Sequence, residues 1–277
     1  FGRVLIDRTK RPFAMTKDAH AVIDEVRKIL QARQSIDQYC RKLHDNDSME
    51  IRVMFGNGHI NFGPRLIVEY AEKFPNTKFN MISPTDVDDF LEGKADVINL
   101  SGQASLADCV KVPRGRMLFI PVASPEYVRL HGQINHPDEL KHHRVFHNLY
   151  AHRYSFQSNY VLTKKGVSLH FDSIDTVRFS NVEMTHRAVI EGLGVAPCMP
   201  IFLCIEDLEA GRLVPVLNGW HRPTHLNYVA CKKEDWKNRQ IRTFANWWAK
   251  RLADYEKECE ARLVKLFGRY FLLNLLH

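Results

Sequence analysis

From Thr16 to His44 the chain contains neither glycine nor proline. Within that stretch Val22, Val26, Ile29, Arg33, Ile36, Cys40 and Leu43 recur at intervals of 4, 3, 4, 3, 4 and 3. This is a heptad seam, interrupted once by Arg33. A helix of that length runs roughly 40 Å at about 1.5 Å per residue. One apolar stripe on so long a rod calls for a partner helix, and the expectation is dimerisation through Val22, Val26, Ile29 and Ile36. The alternative is packing on its own domain. Thr16 is placed to cap the helix, and Asp18 complements the dipole of the first turn.

Upstream, Val4-Leu5-Ile6 and Phe13-Ala14-Met15 flank a basic segment ending in Pro12, which predicts two short strands around a turn. Arg3, Arg8, Lys10 and Arg11 stand there against Asp7. Such a hairpin can neutralise phosphates or remain a solvated basic turn. Downstream, Asp45 to Ser48 is a polar break. A strand over 51–55 then leads through the Gly56-Asn57-Gly58 turn to a helix from Pro64 to Lys73. A strand at 80–82, a helix from Asp86 to Glu92 closed by Gly93, and a strand over 95–100 follow. This β-α-β-α-β alternation predicts a parallel sheet with right-handed crossovers. Further on, 183–191 reads as a helix ended by Gly192, 213–217 and 226–231 as strands, and 234–267 as a long helix.

Composition removes several classes of function. The six cysteines include no C-x-x-C pair, so neither a disulfide framework nor a zinc site is expected, and scattered thiols suit the cytoplasm. The charged first residues do not read as an export signal, and no run of 18 apolar residues suggests a membrane span. His142, His143, His147 and His152 cluster, but Arg144 to Asn148 reads as strand and no carboxylate pair joins them, so no metal is expected. There is no G-x-S-x-G, P-loop, H-E-x-x-H or G-x-G-x-x-G, and neither catalysis nor a cofactor is expected. The net charge of +7 permits a polyanionic partner.

A family resemblance rests on motifs in order along the chain. Leu5-Ile6-Asp7-Arg8 with Met15-Thr16 resembles the LF-x-R … LT signature of LysR-type transcriptional regulators, although Asp18-Ala19-His20 replaces the family's Ala-Gly. Pro64-Arg65-Leu66 is similar to its Leu-Pro-x-Leu, and Leu91 to Asp96 to its L-x-x-G-x-x-D. Ala123-Ser124-Pro125-Glu126-Tyr127 resembles A-S-P-x-Y, and Gly132 to Leu140 resembles G-x-x-x-x-P-x-D-L. Gly192 to Ala196 matches G-x-G-I-A, and Leu208 to Leu217 the L-x-x-G-x-L-V-x-V-L ending. Coverage runs from residue 1 to about Leu252.

The resemblance implies an α/β protein with a partial winged-helix wing, a long linker helix and a two-lobed effector domain like a type 2 periplasmic binding protein. The implied divisions are 1–16, remnant of the winged helix-turn-helix DNA-binding domain; 17–45, linker and dimerisation helix; 50–252, effector domain; and 253–277, a C-terminal extension. Lobe I would comprise 50–123 and 224–252, and lobe II 124–223. Because the chain opens on Phe1 where the family has its wing, the recognition helix is expected upstream of it. Effector contacts are expected from Asn57, Gly58, His59, Ser83, Thr85 and Ser101 of the first lobe and from His147, Asn148 and Asn181 of the second. Of these only His59 and His147 could become cationic, and Ser83 and Thr85 sit where they could cap the next helix. The set suits a small anionic metabolite held by neutral donors and helix amides. Implied partners are promoter DNA, contacted through Arg3, Arg8, Lys10 and Arg11, a small-molecule effector, a homodimer or homotetramer, and RNA polymerase, with no membrane. The competing reading is a free-standing two-lobed binding protein, which would need an export signal and no linker helix. An enzyme on this fold would need a reactive group in the cleft.

Overall fold

The computed structural model describes residues 4–9, 11–12, 14–44, 49–56, 59, 61–83, 85–101, 106–148, 161–171, 177–179 and 181–276. The opening hairpin pairs β1 (Ile6–Asp7) with β2 (Ala14–Met15), Ile6 opposite Met15. Thr16 then does two jobs. Its hydroxyl donates to the Val4 carbonyl at 2.9 Å and accepts the Ala19 amide at 3.1 Å, so one side chain closes the hairpin and caps α1 (Lys17–His44).

Past the polar break, β3 (Met49–Met54), α2 (Gly63–Lys73), β4 (Thr77–Ile82), α3 (Val87–Leu91) and β5 (Val97–Ser101) follow. β3 lies parallel to both β4 and β5, as the alternation predicts. Asp96 joins β3 to the start of β5: its carboxylate accepts the Arg52 amide at 2.8 Å and the Arg52 guanidinium at 2.5 Å. That bond is the physical content of the aspartate in L-x-x-G-x-x-D. The glycine of the same motif, Gly93, takes φ +84° to end α3, a conformation that favours glycine. β6 (Cys109–Arg116) and the later β14 (Leu226–Lys232) complete a five-stranded sheet of order β4-β3-β5-β14-β6, with β14 antiparallel to both neighbours.

A second, three-stranded sheet is built on β7 (Phe119–Ala123), flanked by β12 (Val195–Pro200) and β13 (Val214–Pro215). Between them come α4 (Pro125–His131), the parallel pair β8 (His147–Asn148) and β11 (Arg178–Phe179), the hairpin of β9 (Val161–Lys164) and β10 (Val167–His170), and α5 (Val182–Ile190). Gly194 of G-x-G-I-A is required by space. A Cβ there would stand 2.5 Å from the Arg144 carbonyl oxygen and 2.7 Å from the Phe146 ring.

Two helices close the structure over both lobes. α6 (Ile201–Glu209) leaves β12, and α7 (Arg239–Phe267) follows β14 after a short 3-10 turn. Ile241, Phe244, Ala245, Trp248, Ala249, Leu252, Cys259 and Leu263 form the buried stripe of α7, at helical spacing. Trp248 also donates to Asn99 of β5 at 2.9 Å. Beyond residue 253, Arg262 holds Glu209 of α6 through two hydrogen bonds, 2.8 and 2.5 Å. α8 (Arg269–Leu276) then turns back, burying Leu275 and laying Asn274 against Gly219. One apolar core runs from the first sheet through β7 and α6 to α7. Among the described residues no helix is long and apolar enough to cross a membrane.

Candidate functional site

The loops that follow β3 and β4 meet at Gly56. A methyl group placed on its Cα would lie 3.6 Å from Thr85 Oγ1 and 3.8 Å from His59 Nδ1. Glycine therefore leaves a small cradle walled by two polar atoms. The turn is closed by the His59 amide, which donates to the Gly56 carbonyl at 2.9 Å.

His59 itself is buried. Its ring packs against Phe62, with centroids 5.4 Å apart, and against Phe202 of α6 at 5.2 Å. Nε2 lies 3.4 Å from Nη2 of Arg114, and Nη1 of Arg114 donates to Glu256 of α7 at 2.5 Å. Burial first, and the Arg114 charge second, push the His59 imidazole down to about 3. The expectation that His59 could supply a cation is thus corrected: near neutrality it is an uncharged ring. Glu256 is held up by burial, which the Arg114 charge opposes.

The helix-capping expectation for Ser83 and Thr85 is also corrected. Asp86 caps α3, its carboxylate accepting the Asp89 amide at 2.9 Å, because it stands one residue before the helix and carries the better anionic acceptor. Thr85 faces the cradle instead, and Ser83 is exposed. Asn57 and Gly58 lie outside the described residues, and Ser101 is the last residue of β5.

From the second lobe, Arg178 and Phe179 of β11 pair with His147 and Asn148 of β8, which brings Asn148 and the start of α5 to one end of the pair. Asn181 caps α5, accepting the Glu183 amide at 2.8 Å, so its oxygen already has a partner. Glu183, in the first turn, accepts a hydrogen bond from Asn61 of the first lobe, and burial raises its carboxyl. Among the described residues, His59 and Phe62 thus pack against Phe202 of α6, and Asn61 reaches Glu183 of α5.

Sequence reasoning missed Glu183, Arg114 and Glu256. Glu183 carried a readable signal, since an acid in the first turn of a helix at a strand end invites inspection. Arg114 and Glu256 carried none, because their partnership is purely tertiary.

At the other end of the chain, Arg8 and Arg11 stand exposed around the β1–β2 turn, while Arg3 and Lys10 lie outside the described residues. On α1, Val26, Ile29 and Ile36 are 42%, 68% and 62% exposed, and Val22 is half-buried. Apolar residues at that exposure form an uncovered seam on a single chain.

The LysR substrate binding domain profile matches residues 45–253. An HTH-type transcriptional repressor of Pseudomonas aeruginosa is 25% identical over 254 residues, covering 89% of this chain and 77% of its own length. The HTH-type transcriptional regulator CrgA of Neisseria meningitidis is 24% identical over 263 residues, covering 91% and 84%. Among solved structures, the CrgA regulatory domain superposes with a TM-score of 0.63 at 20% identity, over 75% of this chain and all of that one. The full-length virulence activator AphB of Vibrio cholerae gives 0.64 at 22% identity, over 92% and 83%.

Proposed function

The chain belongs to the LysR family of transcriptional regulators, matched through their substrate-binding domain, and on that premise we propose that it senses a small anionic metabolite and reports it to promoter DNA as an oligomer. One observation carries the reading: a basic hairpin and the long helix α1 precede a two-lobed domain in which hydrogen-bonding groups of separate elements meet, Thr85 with His59 around Gly56 and Asn61 with Glu183. The proposed division is 1–16 wing, 17–45 linker helix, 50–252 effector domain and 253–277 extension.

In this reading the effector's acceptor end lies by Gly56, where Thr85 and His59 offer neutral donors, and Asn57, Gly58, Ser83 and Ser101 are the other contacts proposed from the first lobe. His147, Asn148 and Asn181 are the contacts proposed from the second lobe, and Glu183 accepts from any donor the effector carries. Arg3, Arg8, Lys10 and Arg11 neutralise DNA phosphates, which positions the hairpin and carries little sequence information. The oligomer is a homodimer or homotetramer built on Val22, Val26, Ile29 and Ile36, and RNA polymerase is a further partner. The cell compartment is the cytoplasm.

A thermal-shift screen of small metabolites tests the sensing role, since a ligand at 100 times its Kd stabilises by about 2.7 kcal/mol. A hit that binds equally well to neutral and anionic analogues would remove the anionic reading. For DNA, replacing Arg8 and Arg11 with Ala should flatten the slope of log affinity against log salt by about 2. An unchanged slope would take the hairpin off the DNA.

A further inference from the structure

The ring of His59 can be assigned a state from its neighbours. A guanidinium only donates hydrogen bonds. Nε2 of His59, 3.4 Å from Nη2 of Arg114, must therefore be the accepting nitrogen. In a neutral imidazole the proton then sits on Nδ1. That nitrogen is buried. It lies beside the Gly56 carbonyl without completing a hydrogen bond. It also forms one wall of the cradle that a methyl at Gly56 would fill, opposite Thr85 Oγ1.

The guanidinium is itself held. Arg114 is 1% exposed, and its Nη1 is fixed by Glu256, whose side chain is almost as deeply buried. Glu256 stands on α7 past residue 253, where the match to the substrate-binding-domain profile ends. Its neighbour Tyr255 stacks on Phe62, centroids 4.3 Å apart, against the other side of the same turn. The middle of α7 thus reaches His59 through Arg114 and holds Phe62 by an aromatic contact.

We infer that Arg114, held in place by Glu256 of the C-terminal extension, is a positioning residue that locks His59 as a neutral Nδ1–H donor facing the cradle beside Gly56 and Thr85. The effector group that fits there is a hydrogen-bond acceptor, a carboxylate or carbonyl oxygen. This deepens the cleft reading and rests on it for what His59 faces, but not for the state of the ring.

The test reads the ring in the full chain without any ligand. Long-range 1H–15N correlation spectra, with the His59 signals identified by their loss in His59→Gln, report which nitrogen carries the proton. The groups facing the ring are Arg114 from β6, Glu256 behind it, Thr85 from the β4–α3 loop, and the apolar rings of Phe62 and Phe202. The expected result is a single neutral tautomer protonated at Nδ1 and unchanged from pH 5 to 8. In the double variant Arg114→Met/Glu256→Met, which removes donor and acceptor together, His59 should shift to a mixture of tautomers. Replacing both partners of a buried pair by apolar groups of similar volume often preserves the fold. An Nε2–H tautomer or a titrating ring in the native protein would overturn the inference. So would a folded double variant whose His59 signals match the native ones. The cleft reading fails separately, by the effector titration that tests it.

Discussion

Arg114 on β6 and Glu256 on α7 meet at 2.5 Å with both side chains withdrawn from water. Breaking such a pair costs more than the pair contributes, because the survivor is left charged and buried. Glu256→Ala should therefore lower stability by about 3–5 kcal/mol, while Arg114→Met/Glu256→Met should change it far less. Urea unfolding curves of the three proteins decide this. A double variant as unstable as the single one would mean that the site depends on the charges themselves.

The seam of α1 predicts an assembly defect. Ile29 is more exposed than Val26 or Ile36, and in a two-helix interface it would be covered. Ile29→Asp would then bury an unpaired carboxylate at a cost of several kcal/mol. Sedimentation velocity should show a smaller species than the parent. An identical distribution would mean that α1 does not form the interface.

How much of this was legible beforehand depended on the distance over which each signal acts. The heptad of α1 and the β3-α2-β4-α3-β5 alternation are local patterns, and both elements formed where the pattern placed them. β6 was not read, because Pro113 and Gly115 argue against a strand. It forms at the edge of its sheet, where the ladder tolerates proline. The strand read at 213–217 shrinks to Val214–Pro215, since Leu217 turns to φ +62°. The long C-terminal helix begins at Arg239, five residues later than read, because Asn238 accepts the Gln240 amide at 2.8 Å and sets the first turn there. For the site, strand ends and turns pointed to Asn57, Gly58, His59 and Thr85, and Gly56 was not among them. The grip on His59 joins Arg114 to a residue 142 positions away, and no local pattern records it.

Asp235 predicts a pH dependence. Burial, and then the nearby Asp96 charge, raise its carboxyl to about 6 from 3.8. The folded state then holds a proton that the unfolded chain releases, so stability from this group is present below about pH 4 and lost as pH rises to about 6. At about 1.4 kcal/mol per unit the swing is at most about 3 kcal/mol, and partial exposure reduces it. Asp235→Asn should remove this slope and be the more stable protein at pH 7. Parallel pH profiles for the two proteins would refute the assignment.

Gly194→Ala tests packing between the two strands of the second lobe. The new methyl would lie 2.5 Å from the Arg144 carbonyl oxygen, whose hydrogen bond from the Val195 amide, at 2.8 Å, fixes the backbone. A backbone atom cannot rotate aside, so the expected loss is about 1–3 kcal/mol in urea unfolding. A neutral result would show that the 144–146 segment can retreat.

The cleft makes the last prediction, and its members should not respond alike. Thr85 faces the cradle at Gly56, so Thr85→Ala removes one donor and should weaken a bound effector by about 0.5–1.5 kcal/mol. Gly56→Ala fills the same space with a methyl in ordinary van der Waals contact with Thr85 and His59, at 3.6 and 3.8 Å. It should therefore leave the fold intact while displacing the effector's acceptor group, and should cost more affinity than Thr85→Ala. Asn181 differs, because its oxygen already accepts the Glu183 amide. Asn181→Ala should lower stability by about 1 kcal/mol through loss of the cap, whether or not ligand is present. Isothermal titration with an effector found by screening, beside thermal melts of each variant, separates the two effects. If Gly56→Ala binds like the parent, the effector does not enter the cradle, and the contacts proposed for His59 and Thr85 fall with it.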